Sequence, residues 1–154
     1  MAAQPGNVVD PYRQYNFKLI LGASEEAGYF TRCSGLGVTI EAIDYREGGG
    51  GLDVRRLPGR VSYTDVSLAY GLTSSRTLWE WLMKAASGKV ERKNVSILML
   101  EADGAVEGMR WDLINAWPSQ WRGAPLDALG QEVAIEMLTI VFERIERQGA
   151  GGAG

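Results

Sequence analysis

From residue 14 the chain alternates in character. Tyr15, Phe17, Leu19 and Leu21 are apolar, and Gln14, Asn16 and Lys18 between them are polar. A period of two is that of a strand with one buried face. A second strand is expected over residues 28–33, ended by Ser34-Gly35-Leu36-Gly37. A third runs over 38–45, where Val38, Ile40 and Ala42 keep one phase before Ile43 and Tyr45 take another; a bulge accounts for the slip. The fourth, 60–72, holds Val61 and Tyr63 and then, after a second slip near Asp65, Val66, Leu68 and Tyr70.

One amphipathic helix follows. Thr73, Ser74 and Ser75 offer caps, and Leu78, Trp81, Leu82 and Ala85 recur at helical spacing up to Gly88. The fifth and sixth strands, 94–101 and 106–115, flank an Asp103-Gly104 hairpin turn. Residues 116–130, with Trp117, Pro118, Trp121 and Pro125, read as a loop. The last strand, 132–145, would reach roughly 45 Å at ~3.3 Å per residue. Residues 1–13 read as an arm carrying Pro5, Gly6 and Pro11, and 148–154 as a disordered Gly/Ala tail.

Seven strands and one helix without βαβ alternation predict a mainly β, α+β domain over residues 14–147. Its architecture is an antiparallel β-barrel or sandwich with one flanking α-helix. The last strand is apolar on both faces: Val133, Ile135, Met137 and Val141 on one, Ala134, Leu138, Ile140 and Phe142 on the other. The strand over 94–101 behaves alike, with Val95, Ile97 and Met99 against Leu98 and Leu100. A barrel in water shows a polar outside, so the helix or a neighbouring subunit is expected to cover part of it.

Composition narrows the chemistry. The 154 residues include one cysteine, Cys33, and no histidine. That removes Ser-His and Cys-His nucleophile pairs, most zinc sites and any internal disulfide. A net charge of −3 leaves no basic footprint for nucleic acid. No apolar run reaches the ~18 residues of a membrane helix, and the start MAAQPGNVVDPYRQ carries no signal pattern. Cytoplasmic origin, no stable membrane insertion, no cofactor and no enzyme activity are the expectations.

The segment EGGGGLDVRRLPGR, residues 47–60, is the one unusual motif. As a phosphate cradle it fails, because no Lys-Ser/Thr follows the glycines and the next element is a strand. A flexible hairpin loop and an extended hairpin awaiting a partner both remain; Leu52, Val54 and Leu57 alternating with Asp53 and Arg55 is a strand pattern inside the supposed linker. Trp79 and Trp81 are expected in the core. Trp111, Trp117 and Trp121 are expected to pack rather than stack on bases, and Cys33 to be small and buried. Glu41 with Asp44, or Glu132 with Glu136, could imitate a glycosidase pair, but alternating solvent-facing acids account for them more simply.

Several words of the chain carry a resemblance. Cys33-Ser34-Gly35-Leu36-Gly37, Tyr45-Arg46-Glu47-Gly48-Gly49 and Arg56-Leu57-Pro58-Gly59 come in that order. Leu78-Trp79-Glu80-Trp81 and Gly88-Lys89-Val90-Glu91-Arg92-Lys93 follow. Asn115-Ala116-Trp117-Pro118 and Glu132-Val133-Ala134-Ile135-Glu136 close the set. Over residues 10–147 the chain resembles the tail tube proteins of contractile injection systems: contractile phage tails, phage-tail-like bacteriocins and extracellular or cytoplasm-assembled injection particles. Ala69-Tyr70-Gly71, without a basic residue before the glycine, and the Gly/Ala tail depart from that pattern.

The resemblance implies a β-barrel-like subunit forming homohexameric rings that stack into a hollow tube. A sheath protein would surround the tube, baseplate or hub and terminator proteins would end it, and protein cargo or DNA could occupy its lumen. It implies assembly in the bacterial cytoplasm, in a phage tail or a released particle. It also implies that an extended loop reaches the next subunit through Gly48, Leu52, Val54, Arg55, Arg56, Leu57, Pro58 and Gly59, the two arginines pairing with a neighbour's acids. The secreted ring protein of type VI secretion would share the fold, though the Leu-Pro-Gly and Asn-Ala-Trp-Pro words favour the phage-tail branch. The alternative is a monomeric β-barrel module binding a ligand or nucleic acid with its tryptophans.

Overall fold

The computed structural model describes residues 17–23, 25–49, 51–71, 76–100, 107–130 and 134–149. The expected arm, the Thr73 to Ser75 caps, the Asp103-Gly104 turn and Glu132 and Val133 lie outside these. The strands are β1 (Phe17–Leu21), β2 (Glu25–Phe30), β3 (Arg32–Ser34), β4 (Val38–Tyr45), β5 (Arg55–Tyr63) and β6 (Val66–Gly71). After the helix α1 (Thr77–Ala86) come β7 (Lys93–Leu100), β8 (Glu107–Arg122), β9 (Ile135–Val141) and β10 (Arg144–Gly149). Mainly β with one helix is what the patterning predicts.

Three of the seven expected strands are each split in two. The second becomes β2 and β3, bent at Thr31. The fourth becomes β5 and β6, so its slip near Asp65 is a change of sheet and not a bulge. The last becomes β9 and β10, bent at Phe142 and Glu143.

The ladders, all antiparallel, run β2-β1-β7-β8-β9-β6-β3, with β10 also on β8 and β4-β5 forming a separate pair. Because β2 pairs with β1 while β3 pairs with β6, the bent β2-β3 segment joins both ends of the path and the sheet closes into a barrel. At the bend the Thr31 N–H donates to the Ala69 carbonyl at 2.9 Å. Closure leaves fewer free sheet edges than an open sheet would.

The expected loop over 116–130 is strand as far as Arg122. β8 pairs with β10 up to Ile114 and with β7 up to Ala116, and with β9 from Trp117 on. Asn115, at φ 52, sits where the partners change. Proline is tolerated at position 118 because β8 has a ladder on one side only there. β10 carries the ladder through Gln148 and Gly149, the first two residues of the expected tail.

The barrel interior is filled by Leu19, Val66, Leu68, Val95, Leu113 and Ile140, each wholly buried. The helix packs against β8, with Leu78 and Trp81 buried. Trp81 Nε1 donates to the Glu91 carbonyl at 2.7 Å, and Lys84 reaches the Glu91 carboxylate at 2.9 Å. Arg76 stands at the N-cap with no side-chain cap bond. Trp79, expected inside, is 42% exposed and meets Trp121 edge-on at 5.0 Å.

Cys33 packs half-buried against this core. Burial pushes its thiol up to about 11, so roughly one molecule in a thousand holds the reactive thiolate at pH 8. A thiol reagent at pH 8 is expected to label the folded protein at least ~10-fold more slowly than the denatured chain. Equal rates would mean that Cys33 is not packed as described.

Candidate assembly surface

The polar clusters come first. Across β7 and β8, Ser96 donates to Asp112 Oδ1 at 2.6 Å, while Arg110 Nε donates to the same oxygen at 2.8 Å. A second Arg110 nitrogen donates to Ser96 Oγ at 2.9 Å, and Gln148 Nε2 reaches Asp112 Oδ2 at 3.3 Å. The hydroxyl and both carboxylate oxygens are occupied by neighbours, which suits a strut between strands. A shallow groove of about 680 Å³ includes Arg92 and Lys93 in its lining. Arg92 pairs with Glu143, and Lys93 with Glu25 at 3.5 Å, so those cations are already compensated. Among the described residues no group of side chains could hold a metal ion. Among the same residues no helix is long and apolar enough to cross a membrane.

Glu136 differs from the expectation of a solvent-facing acid. It shares the inward phase of β9 with Leu138 and is half-buried, opposite Tyr70 in the register. Trp121 Nε1 donates to it at 3.4 Å. Burial, and then the Glu136 charge, push the Tyr70 hydroxyl up to about 12. Trp111 and Trp121 pack against the core and are not displayed for a ligand.

The hairpin of β4 and β5 is different. Every residue of β4 is exposed, and among the described residues its only ladder partner is β5. Val38, Ile40, Ile43, Tyr45 and Val61 are large apolar side chains left in water. Leu57 (37% exposed) lies in β5 and Val54 (38%) just before it, while Leu52 in the connection is fully open. Exposed apolar groups gathered on one projecting element mark an interaction surface.

The segment over 47–60 is therefore half strand. Arg55, Arg56, Leu57, Pro58 and Gly59 belong to β5, opposite Tyr45, Asp44, Ile43 and Ala42 for the first four. Gly48, Leu52 and Val54 lie in the connection between the strands. The ladder slips between Ile40 and Ala42, where Gly59 and Arg60 stand against Glu41 alone. The extra residue lies in β5 and not in β4, so the bulge expected at Ala42/Ile43 falls on the partner strand, and the phase slip in β4 is a change of which face its apolar side chains occupy. Arg55 lies 3.5 Å from Glu47 and Arg56 3.3 Å from Asp44, so both arginines have acids within their own hairpin. Exposed pairs of this kind add little stability.

The hairpin is rooted where Gly35 and Gly37 meet Thr64 and Asp65. Thr64 N–H donates to the Gly37 carbonyl at 3.2 Å. Gly35 has φ +92, and a Cβ there would stand 2.1 Å from the Asp65 carbonyl oxygen. Tyr63 ties the root to the core through Phe142, ring centroids 5.7 Å apart.

The chain is similar to known proteins along nearly all of its length. The family model described as T4-like virus tail tube protein gp19 matches residues 13–146. A chain from the cryo-EM structure of the anti-feeding prophage cap, its tube terminating cap, is 27% identical. It superposes with a TM-score of 0.77 over 97% of this chain and 95% of that one. A chain of an extracellular contractile injection system, from the PVC sheath–tube complex in its extended state, gives 0.77 at 24% identity over 96% and 99%. Hcp1 from Flavobacterium johnsoniae shares the fold at 16% identity and a TM-score of 0.53, over 86% of this chain and 94% of that one. No curated protein matches the chain.

Proposed function

Because the chain belongs to the T4-like virus tail tube protein gp19 family, we propose that it is the inner-tube subunit of a contractile injection system. Copies close into homohexameric rings, and the rings stack into a rigid hollow tube. A sheath protein surrounds the tube and drives it through a target envelope. Baseplate or hub proteins start the tube, a terminator ends it, and protein cargo or DNA travels in the lumen. Assembly takes place in the bacterial cytoplasm, within a phage tail or an injection particle.

The carrying observation is the β4-β5 hairpin, an ordered element with almost all of its large apolar side chains outside the core. Such a surface is costly in a monomer and is accounted for when a neighbour buries it. Supporting it, the similar chains come from a tube terminating cap, a sheath–tube complex and a sheath/tube terminator. The role is structural, with the interfaces and not a catalytic pocket as the working parts.

Negative-stain electron microscopy over a concentration series tests the proposal. Rings or hollow tubes of uniform width are the expected result. Small monodisperse particles at every concentration, unchanged when a baseplate is supplied, would overturn it and return the monomeric binding module to consideration.

A further inference from the structure

Four strands lie side by side in the order β8-β9-β6-β3, and their register sorts the side chains to one face or the other. Trp121, Leu138, Leu68 and Cys33 form one cross-strand row, which packs inward. Side chains alternate along a strand, so the rows on either side of this one point outward. One is Arg122, Met137, Ala69 and Arg32; the other is Gln120, Thr139, Ser67 and Ser34. Ile135 and Gly71 begin a third. No acid stands in these outward rows, in a chain whose net charge is −3.

The other half of the barrel treats its outward arginines differently. On β8, Arg110 is bonded to Asp112, two residues on, at 2.8 Å. On β10, Arg144 meets Glu146, again two residues on, at 2.9 Å. Positions two apart share a face of a strand, so each of these charges is neutralised where it stands. The corresponding neighbour of Arg122 is Gln120, and that of Arg32 is Ser34. Both arginines are exposed, and neither has a carboxylate partner among the described residues. Met137, between them in the row, and Ile135 beside it are each 41% exposed.

We propose that this face docks an acidic polypeptide supplied by another protein. Exposed arginine and methionine, without lysine or acid, is the composition of a protein-binding surface. A guanidinium grips a carboxylate through two parallel hydrogen bonds, and a thioether adapts to varied apolar neighbours. Arg32 and Arg122 stand three strand spacings apart, about 14 Å. Carboxylates four residues apart on an extended chain are separated by about 13 Å, so one segment laid across the strands meets both. A nucleic acid fits less well. Two cations per subunit amid apolar side chains neutralise few phosphates, and the acidic chain repels the rest. The partner's identity rests on the tube reading, in which it is protein cargo in the lumen.

In the test, the full chain is titrated at low salt with a labelled glutamate-rich peptide and, separately, with a DNA duplex. Electron microscopy of the same samples records the assembly state. The peptide is expected to bind, and added salt to release it. Arg32→Gln and Arg122→Gln should each weaken binding about threefold, and together roughly tenfold. Arg147→Gln removes an exposed arginine that donates to Met109 Sδ, and should leave binding unchanged. A wild type that does not bind peptide, a double variant that binds like wild type, or duplex bound as tightly as peptide overturns the inference. Arginine-dependent binding in a chain that never forms rings overturns the tube reading and leaves the docking face standing. Rings without that binding do the reverse.

Discussion

Leu57→Asp is expected to yield folded subunits that form no tubes. Leu57 is 37% exposed and stands opposite Ile43 on the distal half of the hairpin, away from the barrel core. The subunit loses little when it changes, and its melting temperature should stay within about 3 °C of wild type, the range of a surface substitution. The interface loses much more. Burying a leucine side chain contributes roughly 1.5–3 kcal/mol, and a carboxylate in its place must be desolvated without a partner. A loss of about 3 kcal/mol per contact weakens each association step roughly a hundredfold. Because the contact recurs in every subunit, assembly should fail outright at concentrations that support wild-type tubes. Leu57→Met, similar in volume, should assemble normally. Tubes in normal yield from Leu57→Asp, counted by electron microscopy and pelleting, would sink the role given to the hairpin.

Gly35→Ala is expected to destabilise the monomer itself, by about 3 kcal/mol or more. Two causes add. The backbone sits at φ +92, which side-chain-bearing residues rarely adopt, and the new Cβ would fall 2.1 Å from the Asp65 carbonyl oxygen. That neighbour is backbone and cannot swing away. It is also the point where β5 gives way to β6, so relief would tilt the hairpin relative to the barrel. A fall in melting temperature of roughly 10 °C follows from the usual scaling. Gly49→Ala separates the causes, since Gly49 has φ +88 with open space around it. It should cost about 1 kcal/mol, the backbone term alone. A Gly35→Ala protein that melts like wild type would show that the root is not held as tightly as its geometry implies.

These two positions also show what could be read ahead of the structure. The slip in β4 was visible because Val38 and Ile40 are out of phase with Ile43 and Tyr45; its physical form is a strand with apolar side chains on both faces, and the bulge lies in its partner β5. The helix was visible from the spacing of Leu78, Trp81, Leu82 and Ala85. Gly35 belonged to a recognisable word, but nothing local says that Asp65 lies against it, because that contact joins segments thirty residues apart.

The same reason hides the splits at Thr31, at Thr64 and Asp65, and at Phe142 and Glu143. A phase slip looks alike whether the strand bulges or crosses to another sheet, and only the pairing partner distinguishes them. Residues 116–122 were missed because proline and polar Ser119 and Gln120 are loop residues by propensity. A one-sided ladder to β9 overrides that preference. The strand within 47–60 was half visible: the alternation of Leu52, Val54 and Leu57 argued for it and the glycines against it, and pairing with β4 decided for residues 55–59.

Strand β8 has a mechanical consequence. Sixteen residues of unbroken backbone serve β10 as far as Ile114, β7 as far as Ala116 and β9 from Trp117 on. A push on one half of the barrel therefore reaches the other along covalent bonds, without passing through side-chain contacts that could slide. The two halves cannot shear apart unless a ladder of hydrogen bonds breaks together. In a column of such units, compressive load meets its weakest resistance at the seams between units, so the stiffness of the column is set by its joints.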